Sequence, residues 1–139
     1  MLQILEQKGF IERRATGSSM MPFIRSGDTL IISKLNGKLK KGDIALFEQD
    51  GKYLLHRVVK VYINGYKCRG DNRYKADAFV PREKVFGKLD AIYKKDKIVE
   101  CNSKRFKMLS KLYNFVLFRY FNVFCMRAIS RKRHKNDNK

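Results

Sequence analysis

Several residue types are scarce in this 139-residue chain. It has no tryptophan, two prolines, two histidines and three cysteines. The cysteines, Cys68, Cys101 and Cys125, are widely separated, and no C-x-x-C pair occurs. This spacing argues against a zinc site or a disulfide framework, and unpaired thiols are typical of a reducing compartment. No metal-binding cluster and no phosphate-binding glycine loop is found, so no cofactor is expected.

Acidic residues are also few. Lys and Arg number 32 against 13 Asp and Glu, a formal net charge of +19. This excess predicts attraction to a polyanion, either nucleic acid or an anionic membrane, unless it serves solubility alone. The first ten residues include Glu6 and Lys8 and lack the apolar run of a signal peptide. We therefore expect a cytoplasmic protein, peripheral at a membrane surface.

Short strand-like segments separated by turn signals fill the first hundred residues. Asp50-Gly51 and Asn64-Gly65 are hairpin signals. A short helix is predicted over residues 1–8, ended by Gly9. The apolar, β-branched runs are residues 29–33, 44–48, 53–63, 66–69, 84–93 and 97–101. Together they predict one mainly β, barrel-like domain over residues 1–102.

The composition changes at Asn102-Ser103. Ser103 is a candidate N-cap, and residues 103–130 combine a wide aromatic-rich face with a narrow polar stripe. Their longest uncharged stretch is seven residues, which favours an interfacial helix over a spanning one. We predict an amphipathic helix over 103–130 and a disordered basic tail over 131–139.

This C-terminal region carries about half of the net charge. Residues 103–139 hold eleven Lys and Arg and a single acid, for a net charge of +10. We expect residues 104–135 to bind an anionic membrane surface. Packing of the helix on the β domain is the alternative, and nucleic-acid binding is the least favoured.

One serine and one histidine form a candidate catalytic pair. Ser19 lies just ahead of Met21-Pro22, and His56 lies in a predicted strand. A serine hydroxyl needs a base within hydrogen-bond reach, and a neutral imidazole accepts that proton at pH 7. Asp71 and Asp77 follow, so nucleophile, base and orienting acid are all available. The alternative without catalysis is that Ser19 is an ordinary turn residue and His56 is an ordinary core residue.

The motifs around these residues resemble the S24/S26 serine peptidase superfamily, which includes signal peptidase I and the self-cleaving repressors. They cover roughly residues 12–92 in the family's order. A histidine at position 56, where many bacterial relatives have lysine, resembles the endoplasmic-reticulum and archaeal signal peptidases. The four matching boxes are Ser19-Met20-x-Pro22 with Gly27-Asp28, Lys41-Gly42-Asp43-Ile44, Leu55-His56-Arg57-Val58-Val59, and Arg69-Gly70-Asp71-Asn72 with Asp77.

The resemblance implies a coiled, largely antiparallel β fold and a role for each site residue. Ser19 is the implied nucleophile, His56 the base and Asp77 the orienting acid. Asp71 is the alternative acid. Otherwise Asp71 and Asn72 form a structural loop, in which Asp71 binds nearby backbone N–H groups.

The oxyanion hole departs from the family pattern. Many bacterial relatives have a serine where Gly17 stands, two residues before the nucleophile. Gly17 offers no hydroxyl, so the backbone N–H of Ser19, helped by the Ser18 hydroxyl, is the predicted oxyanion hole. Met20 is either an apolar wall beside the substrate or part of the core.

The leading prediction is a serine endopeptidase that cleaves a peptide, leader or signal sequence through an acyl-enzyme. The resemblance implies that the substrate binds as an extended strand. A self-cleaving repressor is disfavoured, because only 18 residues precede Ser19. The alternative is a catalytically inactive peptidase-fold module that binds membrane or nucleic acid through its basic C-terminal region. The sequence leaves the oligomeric state open.

Overall fold

The computed structural model describes residues 1–115, 120–121, 124–125 and 127. Its first element is the helix α1 (Leu2–Lys8), which ends as predicted where Gly9 adopts a left-handed φ of 78°. The elements that follow are β1 (Phe10–Arg14), β2 (Thr29–Lys34), β3 (Ile44–Gln49), β4 (Lys52–Tyr62), β5 (Gly65–Arg69), β6 (Phe79–Pro81), a 3₁₀ helix (Arg82–Lys84), β7 (Val85–Lys94), β8 (Lys97–Glu100) and α2 (Lys104–Tyr113).

The strands form one antiparallel sheet that curls into a half-barrel. Its order is β1-β2-β7-β3-β4-β5-β6, and β8 pairs with the second half of β7. The predicted mainly β, barrel-like fold with a C-terminal helix is therefore confirmed. The short strand β6 is missing from the prediction because it holds three residues, one of them Pro81.

Curling of the sheet creates two apolar clusters. The first lies among α1, β1, β2, β7 and α2, and includes Leu5, Ile32 and Phe106. The second lies among β3, β4, β5 and β6, and includes Phe47 and Tyr66. In β4 the burial no longer alternates, since three successive residues, His56, Arg57 and Val58, are all buried.

Several strand edges lack a neighbouring strand within the described residues, and two of them lie on β1 and on the first half of β4. β1 pairs with β2 along its whole length and with no strand on its other side. β4 pairs with β3 over Lys52–Arg57, whereas β5 covers its opposite edge only from Arg57 onward. The edge of β4 that leads to His56 is thus free to accept another extended chain.

The helix α2 packs on the β domain. Ser103 caps it, accepting a hydrogen bond from the Phe106 N–H at 3.2 Å, as predicted. The helix α2 ends at Tyr113, and Asn114 and Phe115 interrupt the helix predicted over 103–130, whereas the described residues 120, 121, 124, 125 and 127 are helical. The predicted tail, residues 131–139, lies outside the described residues. None of the helices in the described chain has the length and apolarity required to cross a bilayer.

Candidate active site

Three polar side chains form a hydrogen-bonded line at the end of a cleft. The Ser19 Oγ lies 3.0 Å from His56 Nε2, and His56 Nδ1 lies 2.7 Å from Asp77 Oδ2. The histidine and aspartate side chains are only 2% and 8% exposed. With a proton on Nδ1 held by the carboxylate, Nε2 is free to accept the proton of the serine hydroxyl.

His56 owes its position to the register of the sheet. It stands opposite Ala45 on β3, and this small partner leaves room for the imidazole. The Phe47 ring meets the imidazole edge-on with a centroid distance of 6.1 Å. Asp77 lies just before β6, and its N–H donates to the Cys68 carbonyl at 2.8 Å. The imidazole and its acid are therefore both fixed by the backbone of neighbouring strands.

Ser19 is held by the loop that precedes Asp77. The Asn72 N–H donates to the Ser19 carbonyl at 2.8 Å, and the Asn72 side chain donates to the Ser18 carbonyl at 3.2 Å. At Gly70, a Cβ atom would lie 2.6 Å from the Ser19 carbonyl oxygen. Only glycine permits this close approach without displacing the backbone of Ser19.

Asp71 is committed to a buried ion pair. Its carboxylate accepts from Arg57 Nε at 2.8 Å and from Arg57 Nη2 at 2.7 Å, a bidentate geometry. The remaining Arg57 nitrogen, Nη1, donates to the Gly42 carbonyl at 2.8 Å. The expectation that Asp71 binds backbone N–H groups is therefore corrected, because the guanidinium takes both carboxylate oxygens. This pairing favours Asp77 over Asp71 as the acid that orients His56.

Sequence reasoning assigned no role to Arg57. Its guanidinium lies beside two aromatic rings that contact each other, 5.4 Å from the Phe23 centroid and 5.7 Å from the Phe106 centroid. Asn114, at the end of α2, donates to Asp71 at 3.4 Å. The signal that could have identified this arginine was a permanent charge inside the apolar run of β4. Through these contacts α2 packs against Arg57, the neighbour of His56 on β4, and against Asp71 in the loop that holds Ser19.

The other predicted site residues have mixed surroundings. Ser18 is exposed, while Met20 is buried in the first apolar cluster and also borders the cleft beside Ser19. Gly17 adopts a φ of 78°, a conformation that costs an L-residue about 1–2 kcal/mol. The glycine at this position thus suits the local backbone, and a serine there would be strained.

The cleft has a volume of about 250 Å³. It is lined by residues 13–17, at and beyond the end of β1, and by residues 53–56 of β4. Leu46 and Ile32 add apolar surface. A cleft bordered by backbone that is free to form hydrogen bonds is suited to an extended peptide.

The chain belongs to the Peptidase S24-like family, whose model matches residues 4–89. This range contains Ser19, His56 and Asp77 and ends within β7, so α2 lies outside it. Membership confirms the superfamily resemblance read from the four sequence boxes. No curated protein matches the chain.

The thiol of Cys68, whose backbone carbonyl accepts from the Asp77 N–H, is expected to be unreactive. Burial, followed by the negative charge of Asp77, raises the pKa of Cys68 to about 12. Burial is also the main cause that raises the pKa of Cys101 to about 12. Thiolate is the reactive form, so iodoacetamide at about pH 7.5 should leave both cysteines unmodified in the folded protein and alkylate both in urea. Peptide mass mapping checks this, and rapid alkylation of native Cys68 would contradict it.

Proposed function

We propose that this protein is a serine endopeptidase that cleaves a peptide or a leader sequence through Ser19, His56 and Asp77. The observation that carries the proposal is the 3.0 Å contact between the Ser19 Oγ and His56 Nε2, continued at 2.7 Å to Asp77. Membership of the Peptidase S24-like family supports a peptidase fold.

The proposed reaction begins with proton transfer. As the Ser19 Oγ attacks the scissile carbonyl carbon, its proton passes to His56 Nε2, and the Asp77 carboxylate stabilises the imidazolium through Nδ1–H. The tetrahedral oxyanion is stabilised by the Ser19 N–H, with the Ser18 hydroxyl as a second donor. Collapse of this intermediate breaks the C–N bond, and the imidazolium protonates the departing amine. Water then attacks the acyl-enzyme, giving its proton to His56, and Ser19 is released.

The proposed substrate is an extended segment of polypeptide. The unpaired edges of β1 and of Lys52–His56 provide backbone donors and acceptors along the cleft. Apolar side chains at Met20, Leu46 and Leu55 would contact alternate side chains of the bound strand. Hydrogen bonding along the backbone gives affinity for many sequences, so selection rests on the shape of this apolar part of the cleft.

Covalent labelling tests the proposal without knowledge of the natural substrate. A fluorophosphonate probe is expected to form one adduct, located on Ser19 by peptide mass mapping. Ser19→Ala should abolish the adduct, while Ser26→Ala, which removes an exposed serine from the nearby turn, should label like the wild type. Labelling that persists in Ser19→Ala, or a folded wild-type protein that never labels, would reject the proposal.

A further inference from the structure

One face of the helix α2 packs on the β domain. Phe106, Ser110 and Tyr113 are buried, and they recur at the three- and four-residue spacing of a single helical face. The Phe23 ring meets Phe106 and Tyr113 with centroid distances of 5.5 and 5.3 Å. This packing fixes the orientation of α2 on the domain.

A second side of α2 is apolar and exposed. Met108, Leu109 and Leu112 are 58%, 45% and 59% exposed, and Phe115 just beyond the helix is 67% exposed. Further along the chain, Tyr120, Phe121 and Phe124 are also exposed. Large side chains exposed together on one element mark an interaction surface, whereas single exposed apolar residues are ordinary.

The charge around these side chains restricts the kind of partner. Lys104, Arg105, Lys107 and Lys111 are all exposed on α2, and the helix has no acidic residue. On a helical projection Lys104, Lys107 and Lys111 lie along one side of the apolar residues Met108 and Leu112. Arg105 lies between Leu112 and Leu109, from where its long side chain reaches the phosphate level. An apolar strip beside a basic strip matches the interface of an anionic bilayer, where acyl chains lie beneath a layer of negative phosphates. Nucleic acid would use the basic strip and leave the apolar one in water.

From this combination we infer that the exposed face of α2 is a docking surface for an anionic lipid bilayer. The helix lies in the plane of the membrane, with Met108, Leu109, Leu112 and Phe115 inserted and the lysines at the phosphate level. Because the other face of α2 packs on Phe23 and Arg57, docking holds the β domain at the membrane surface in one orientation. The inference depends on no catalytic residue, so it stands or falls independently of the proposed peptidase activity.

The absence of tryptophan provides a direct test on the full-length chain. Leu112→Trp introduces a single tryptophan on the docking surface. The control is Ile63→Trp, which introduces one on the turn between β4 and β5, where Ile63 is 91% exposed. With vesicles of phosphatidylcholine and phosphatidylglycerol, emission from the Leu112→Trp variant should shift to the blue and be quenched by brominated lipid. Emission from the Ile63→Trp variant should stay unchanged while the protein floats with the vesicles. Equal responses in both variants, or none in Leu112→Trp, would overturn the inference.

Charge removal gives a second, quantitative test. Each basic residue at an anionic surface contributes about fivefold to partitioning, so Lys107→Gln/Lys111→Gln should weaken vesicle binding roughly thirtyfold. The matched control, Lys38→Gln/Lys41→Gln, removes two exposed lysines from the loop before β3 and should bind close to wild type. If both double variants lose the same amount of vesicle binding, the loss depends only on net charge and the inference is overturned. So would a loss of duplex DNA binding in the α2 pair with vesicle binding intact, which would assign the surface to nucleic acid.

Discussion

Asp77→Asn is expected to lower the rate of fluorophosphonate labelling about 10⁴-fold. The carboxylate accepts the Nδ1–H of His56 at 2.7 Å and thereby keeps Nε2 free of a proton. An asparagine amide can donate its own N–H to Nδ1, which moves the ring proton to Nε2, the atom that faces the Ser19 Oγ at 3.0 Å. In that tautomer the imidazole cannot take the serine proton.

The control for this substitution is Asp96→Asn, which makes the same chemical change on the exposed turn between β7 and β8. Its labelling rate should equal that of the wild type. Second-order rate constants are measured by gel fluorescence, with circular dichroism to confirm that each variant is folded. A folded Asp77→Asn protein that labels within tenfold of wild type would remove Asp77 from the proposed mechanism.

Local turn chemistry explains which parts of the fold were predictable. Asp50 and Gly51 adopt φ angles of 51° and 73°, the positive values of the hairpin turn that an Asp-Gly pair indicates. Gly9 ends α1 and Ser103 begins α2 for equally local reasons. At Asn64-Gly65 the turn lies one residue earlier, over Ile63 and Asn64, because Gly65 already pairs with Tyr62.

Long-range pairing explains what could not be predicted. The sequence boxes identified Ser19, His56 and Asp77 as candidates, but their distances depend on the register of β3 with β4 and on the loop around Asn72. Strand alternation places the Arg57 and His56 side chains on opposite sides of β4, yet it cannot reveal that both sides are buried at this point. That outcome follows from the curl of the sheet and from α2, which covers the outer side at this point. The face of α2 that would pack was likewise undetermined, because the apolar residues of the helix span a wider arc than the face that is buried on the domain.

The buried Arg57–Asp71 pair leads to the largest expected loss of stability. Both side chains are almost inaccessible, at 4% and 0% exposure, and each satisfies the other's hydrogen bonds. Arg57→Met leaves the Asp71 carboxylate in the interior, with the Asn114 amide as its other side-chain donor among the described residues. Removal of one partner from such a pair costs about 3–5 kcal/mol of the free energy of unfolding, most of it from the uncompensated charge. Urea denaturation monitored by circular dichroism measures this loss.

Two further variants distinguish the effect of leaving the Asp71 charge unpaired from the effect of losing the Arg57 contacts. Lys84→Met breaks the surface pair between Lys84 and Glu48, whose side chains are 48% and 29% exposed, and should cost less than about 1 kcal/mol. Arg57→Met/Asp71→Leu removes both buried charges and should recover most of the stability lost in the single variant. If the double variant is as unstable as Arg57→Met, the loss comes instead from the contacts of the guanidinium with Phe23 and Phe106. In that case the support that α2 gives to β4 depends on the contact of the cation with the two aromatic rings. Arg57→Lys should then be almost as destabilising as Arg57→Met, because an ammonium group cannot contact both rings while also bridging Asp71 and Gly42.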